Sequence, residues 1–231
     1  MDSLIKLENV GKSFGKGSKH INLFNHVNIS IKQGQFIALR GRSGSGKTTL
    51  LNLIGALDQP TEGKIYIAGN EISTLNDKDR TELRRNHMGF VFQSYGLFPL
   101  LSVGENIEFG LRLANTNRNE RQAKVKEAAE LVGLSNRLQH RPYELSGGEQ
   151  QRVAIARAIA IAPKILLADE PTAELDTKTG FKIIRTFQEL VSKKGTTIIM
   201  TTHDPAILEL IEHQYTLEDK QINYEKKQIT I

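Results

Sequence analysis

The octapeptide "GRSGSGKT", residues 41–48, fits GxxxxGK[ST] in full, follows the apolar run "FIALR" and precedes the helix-forming "TTLLNLIGAL". Strand, glycine loop and helix in that order make a phosphate-binding loop, in which backbone N–H groups at a helix start surround an anion. Gly41, Gly44 and Gly46 let successive amides turn inward with no Cβ in the way. Lys47 sets a point charge on β/γ-phosphate oxygens, and the Thr48 hydroxyl can ligate Mg²⁺. A flexible surface turn matching by chance would not need those three elements in that sequence.

Outward from the loop, "LIKLENV", "VNISIKQG" and "QFIALRG" read as strands, with Val27, Ile29 and Ile31 alternating. "KIYIAGNEI" reads as a hairpin turning at Gly69–Asn70. From about Ser94 the period becomes helical, as in "RQAKVKEAAELVGL", where Val125, Ala128, Ala129 and Val132 share a face. The apolar strands "KILLAD" and "TTIIMTTHD", joined through the helical "GFKIIRTFQELVSKKG", indicate a parallel sheet buried on both sides. The polar tail "LEDKQINYEKKQITI" reads as a terminal hairpin.

The 231 residues are 39% hydrophobic and 25% charged, an ordinary globular composition able to bury a sizeable core. The absence of cysteine rules out disulfides and Cys-based metal sites and suits the cytosol. The start "MDSLIKLENV" lacks the pattern of a signal peptide, and even "VAIARAIAIA", interrupted by Arg157, is too short to span a bilayer. A net charge of +5 reads as a solvated basic surface, and no nucleic-acid partner is expected.

Asp169 and Glu170 follow the apolar "ILLA". At a strand end beside a phosphate loop, Asp169 can hold Mg²⁺ and Glu170 can take a proton from an attacking water. Paired acids at a strand end are elsewhere ordinary solvated charge. His203 ends the next apolar strand, where a neutral imidazole could donate to a γ-phosphate oxygen or serve structure alone. Gln93 closes "GFVFQ" and either orients water and completes a Mg²⁺ shell or is an exposed amide.

A second glycine-rich helix start, "LSGGEQQR", residues 145–152, has no lysine to neutralise a phosphate. Its "SGGE" is a capping box between Ser146 and Glu149, opening a helix with apolar Val153, Ile155, Ala156 and Ile159 that stops before Pro163. On its own it is a well-capped helix. With the other motifs, it resembles the signature sequence of the ATP-binding cassette (ABC) ATPases. "GRSGSGKT" is similar to their Walker A motif, "VFQ" to the Q-loop, "ILLADE" to Walker B, "AELD" to the D-loop and "TTHD" to the switch-histidine loop, in order from about Leu4 to Leu217.

The resemblance implies an α/β P-loop NTPase with a mostly parallel core sheet, an antiparallel β subdomain and an inserted α-helical subdomain. That is a single domain over 1–231, with 1–93 and 163–231 as catalytic core and 94–162 as helical signature subdomain. It implies ATP and Mg²⁺ as cofactors and a second copy of the chain as partner in a head-to-tail dimer. Nucleotide contacts fall on Phe14, Gly41, Ser43, Gly44, Ser45, Gly46, Lys47, Thr48 and Thr49, and in trans on Ser146, Gly147, Gly148, Glu149 and Asp176. Catalysis falls to Glu170, His203 and Gln93, and metal binding to Thr48, Gln93 and Asp169. Phe14 stands where a ring stacks on adenine and Tyr is commoner. Ala173 stands where many relatives have Gly or Ser, so the loop before Asp176 departs from the pattern.

"GALDQPTEG", "GFVFQSYGLFP" and "HRPYELSGGEQQRVAIARA" look most like the bacterial lipoprotein-release, macrolide-export, cell-division and antimicrobial-peptide-resistance group. The resemblance thus implies an integral membrane permease as partner, docking near "SYGLFPLLSV" through Leu97, Phe98, Leu100 and Leu101, and a cytoplasmic protein peripheral on the inner membrane face. Alternatively, these four residues merely cover the subdomain core. A soluble cluster-assembly ABC ATPase remains an alternative; a small-molecule P-loop kinase would have no use for "LSGGEQQR".

Overall fold

A computed structural model of the chain describes residues 3–15, 17 and 20–228. A four-stranded antiparallel sheet, ordered β2-β1-β4-β5, comprises β1 (Ile5–Phe14), β2 (Ile21–Ile31), β4 (Glu62–Ile67) and β5 (Asn70–Glu71). A six-stranded sheet, ordered β10-β9-β3-β8-β7-β6, comprises β3 (Phe36–Arg40), β6 (Met88–Val91), β7 (Ile165–Ala168), β8 (Thr197–Thr201), β9 (His213–Glu218) and β10 (Gln221–Lys226). Its strands β9, β3, β8, β7 and β6 are parallel, and β10 closes one edge antiparallel to β9.

Continuous apolar runs become the central strands because both faces of the sheet are covered. All residues of β7 and β8 are buried. Under one face lie α1 (Lys47–Ile54) and the antiparallel sheet, sharing a core that includes Phe24, Val27, Leu50, Leu53 and Leu167. Against the other pack α3 (Val103–Leu113), α4 (Arg118–Leu131), α5 (Gly147–Ala160) and α6 (Thr177–Lys194). Asp176 caps α6 at its start and a left-handed Gly195 ends it; between them Ile183, Ile184, Phe187 and Leu190 face inward.

Phe187 is fully buried and meets Phe36 edge-on, with ring centroids 6.1 Å apart. Phe187→Ala is expected to lower stability by about 3–5 kcal/mol. Denaturant titration should show a lower midpoint at unchanged slope.

The hairpin between β4 and β5 turns one residue earlier than the sequence indicates. Ile67 pairs with Asn70, so Ala68 and Gly69 form the two-residue turn, both with positive φ (50° and 79°). Alanine in that conformation is disfavoured, and the pull of the Ile65 and Ile67 register inward wins over local turn preference. Helix α2 (Asp77–His87), with no buried residue, gave no apolar stripe to read. The polar tail does form a hairpin, and its first arm, β9, joins the central sheet beside β3.

Candidate functional site

The ends of β3, β7 and β8 place the charged residues. Gly41 follows β3 with φ 151°, and a Cβ there would come within 2.3 Å of the Leu217 carbonyl oxygen. Gly44 has φ 76°, which suits glycine for conformation alone. Gly46 caps α1 with φ 104° and packs so tightly on β2 that a Cβ would be 2.9 Å from Leu23. The three loop glycines are therefore needed for separate reasons, and two of them for close packing against this chain's own atoms.

Lys47 Nζ donates to the carbonyls of Gly41 (2.9 Å) and Arg42 (3.0 Å), so its ammonium is folded back over the loop it belongs to. Ser45 Oγ is buried without a hydrogen-bond partner, an orphaned polar atom inside the loop that suits a phosphate oxygen. Ser43 and Gly44 are exposed and Thr49 half-buried on the same loop and first helical turn.

Thr48 Oγ1 lies 2.9 and 3.1 Å from the two carboxylate oxygens of Asp169, which is only 7% exposed. From the intervening strand β8, the fully buried Thr201 hydroxyl donates to Asp169 (2.7 Å) and accepts from the Glu170 N–H (2.8 Å). One hydroxyl thus fixes both acids. The sequence reading missed Thr201; the signal available was a hydroxyl closing an otherwise apolar strand next to the acid-bearing one. Oxygen ligands converging from Thr48 and Asp169, with no group of three or more His, Cys, Asp or Glu among the described residues, suit a cation carried largely by phosphates and water.

Glu170 has a left-handed backbone, φ 47°, a strained conformation of the kind that gathers at working sites. Its carboxylate lies 3.0 Å from His203 Nδ1, the imidazole being largely exposed. With Glu170 ionised, Nδ1 must carry the proton. A neutral ring then has only an acceptor at Nε2. This narrows the role expected of His203: donating to a γ-phosphate requires the ring to be doubly protonated or to release Glu170.

Gln93 lies two residues beyond the end of β6, not in the strand, and is exposed. Phe14 ends β1 and is 46% exposed. Lys12 Nζ sits 5.1 Å from the Phe14 ring centroid, anchored by the Gln59 carbonyl and Asp58.

The second glycine-rich segment forms the capped start of α5 as read from sequence. Ser146 Oγ accepts from the Glu149 N–H, and the Glu149 carboxylate accepts from the Ser146 N–H at 2.9 Å, which holds its pKa below the usual value. A Cβ on Gly148 would lie 3.0 Å from the Glu174 carbonyl oxygen, and one on Gly147 3.2 Å from the Tyr95 hydroxyl. Both glycines thus accommodate the loops around them as well as any ligand. Among the described residues no hydrogen bond or ion pair joins 146–149 to 41–48. Asp176, which the resemblance places across an interface, caps α6: it accepts from the Thr179 hydroxyl (2.6 Å) and N–H (3.0 Å), which lower its pKa.

Beside Gln93 opens an apolar groove of about 460 Å³ between α2, α3 and β6, lined by Leu57, Phe90, Phe92, Phe98, Phe109 and Leu113 among others. Phe90 stacks on Phe92 and Phe98 tilts against Phe109, with centroids 5.7 and 4.5 Å apart. Of the four residues expected to form a docking face, Phe98 and Leu100 are exposed; Leu97 packs on the core and Leu101 is half-buried. The helical core claims Leu97.

The family model described as ABC transporter matches residues 24–173. An uncharacterized ABC transporter ATP-binding protein of Methanocaldococcus jannaschii, MJ0796, is 43% identical over 97% of both chains. Its dimeric structure in a post-hydrolysis state, bound to ADP and Pi, superposes with a TM-score of 0.91 over 96% of this chain and 98% of that one. The lipoprotein-releasing system ATP-binding protein LolD of Geobacter metallireducens is 39% identical over 96% of this chain and 99% of its own length. The macrolide export ATP-binding/permease protein MacB of Burkholderia lata is 43% identical over 95% of this chain, which spans 32% of that longer protein.

Proposed function

The chain belongs to the ABC transporter family of ATP-binding cassettes, and from that premise we propose how its residues divide the work of an ATP-driven clamp acting on a membrane permease. The observation that carries the reading is the hydrogen-bonded coupling of Thr48, Asp169, Thr201, Glu170 and His203 at the ends of three adjacent strands, with the lysine-free capped start of α5 making no hydrogen bond or ion pair with the phosphate loop among the described residues. A phosphate site built this way is complete on one side and open on the other. A second copy, turned head to tail, closes it with Ser146, Gly147, Gly148 and Glu149.

Phe14 stacks on the adenine. Amides of residues 41–49, the Ser43 and Ser45 hydroxyls and Lys47 hold the phosphates. Thr48, Asp169 and Gln93 would hold Mg²⁺, which would supply positive charge to offset that of the phosphates. Glu170, fixed by Thr201 and His203, takes a proton from the attacking water. His203 reports on the γ-phosphate, and Asp176 lies at the contact between copies. Residues 94–162 form the arm that carries the α5 cradle, with residues 1–93 and 163–231 as the body. Loss of the γ-phosphate removes the bridge between copies, so a local charge change becomes a rigid-body opening.

The experiment is the concentration dependence of Mg²⁺-dependent phosphate release. A paired site makes turnover per chain fall as the chain is diluted; turnover per chain constant down to the lowest concentration would contradict it.

The apolar groove beside Gln93 fits a helical segment of the permease, as several exposed rings and leucines there exceed what an unpartnered surface carries. No helix among the described residues is long and apolar enough to cross a membrane; attachment at the inner membrane face, in this reading, comes through the permease. This groove favours a permease-coupled cassette over a soluble cluster-assembly one. Leu113→Asp is expected to weaken permease binding about tenfold or more with basal ATP turnover within about twofold of native. Co-purification from detergent with the permease, and phosphate release alongside, measure both.

A further inference from the structure

Arg157 lies ten residues beyond Gly147 on α5, about 15 Å along its axis at 1.5 Å per residue. Its guanidinium donates to the carbonyl oxygens of Tyr95 (2.7 Å) and Gly96. It makes no ion pair with an acid among the described residues, and burial holds its pKa below the ordinary arginine value. A partly buried cation satisfied only by neutral carbonyls is poor value as a stabilising contact, which makes its two partners informative. Tyr95 and Gly96 are consecutive left-handed residues, with φ of 58° and 57°. A bulky residue is disfavoured there, so something must hold Tyr95 in place, and the fork on its carbonyl does.

Gln93 lies just upstream of this pinned pair. The Tyr95 side chain, meanwhile, sets its hydroxyl against Gly147 at the start of α5. The segment after Gln93 is thus hydrogen-bonded to α5 at Arg157 and lies against the start of the same helix at Gly147. Arg157 also lines the apolar groove, where the Phe92 and Phe98 flanks of the same segment are exposed.

We propose that Arg157 is a positioning residue for hydrolysis: by gripping the Tyr95 and Gly96 carbonyls it makes the placement of Gln93 follow the movement of α5. This rests on the reading of Gln93 as a water and metal contact in the ATPase. Gln93 then reaches the nucleotide only when the helical arm is seated, and a segment docked in the groove acts on the same joint.

The test compares Arg157→Met and Arg157→Lys in the native chain and in a Gln93→Ala background, measuring ATP turnover, ATP affinity and hydrogen exchange over residues 92–98. In the native background Arg157→Met should lower kcat about tenfold with KM for ATP within about twofold, and Arg157→Lys, lacking the fork, should lower it less. In the Gln93→Ala background both should change kcat by less than about twofold, because residues acting through one another are not additive. A purely structural arginine would give the same fold loss in both backgrounds. Equal losses, or a native-background kcat unchanged by Arg157→Met, would overturn the proposal. If Arg157→Met is not recovered folded, the Arg157→Lys pair decides by the same comparison. Should the native chain show no ATP hydrolysis, the ATPase reading fails separately, and unchanged exchange over 92–98 in Arg157→Lys would then overturn the joint itself.

Discussion

Glu170→Gln is expected to lower ATP turnover by about 10²–10⁴-fold, the usual contribution of a positioned general base, while ATP still binds. The substitution keeps the size and the hydrogen bond of the side chain and removes its basicity. The Thr201 hydroxyl that fixes the acid bonds to the Glu170 N–H and to Asp169, neither of which changes. Binding without cleavage should trap the closed pair of chains, so size-exclusion chromatography with ATP should show a dimer that native protein forms only transiently. Turnover near the native rate would remove Glu170 from the role of base. Because the His203 Nδ1 contact would then meet an uncharged amide, the loss also includes whatever His203 contributes by holding the carboxylate.

Ser146→Arg is expected to lower turnover by about 10²-fold or more, through a surface that makes no hydrogen bond or ion pair with the phosphate loop of its own chain among the described residues. The serine caps α5 and presents the first amides of that helix; arginine removes the cap and fills the space in front of the cradle. Loss of the cap alone costs about 1 kcal/mol and leaves the folded monomer intact. ATP binding to the monomer, measured by equilibrium titration, should stay within about threefold of native, since among the described residues no hydrogen bond or ion pair joins the two segments in one chain. Weakened monomer binding would place the cradle in the same site as Lys47.

Much of this architecture could be read from residues alone where one physical constraint dominates. "FIALR", "ILLA" and "TIIMT" are apolar without alternation because both their faces are covered, and they became the parallel centre of the sheet. The order of strand, glycine loop and helix placed Gly41–Thr48 correctly for the same reason. Where two preferences compete, local reading fell short. The turn at Ala68–Gly69 obeys the inward register of Ile65 and Ile67 against the preference of alanine, and α2 folds with no apolar face to announce it.

The candidate site was legible in its charged members and opaque in its connections. Asp169, Glu170 and His203 could be named from strand ends, but Thr201, which ties two of them together, is one threonine among several until β8 is seen to lie between β3 and β7. Gln93 read as the residue closing the strand "GFVFQ", yet pairing stops at Val91 and leaves it two residues beyond the strand end. Arg157 read as an interruption in an apolar run. Its partners are main-chain carbonyls some sixty residues away, which no side-chain pattern reveals.

Mixing two inactive chains puts the shared pocket to the test. In a Lys47→Ala chain the phosphate grip is lost, and in a Ser146→Arg chain the lid is lost, so each alone should be inert. In the mixed dimer one pocket carries both defects and the other neither. Phosphate release from an equal mixture should therefore return to about a quarter of the native rate, half the dimers each with half their sites. No recovery in the mixture, with dimers formed, would mean that grip and lid come from the same chain.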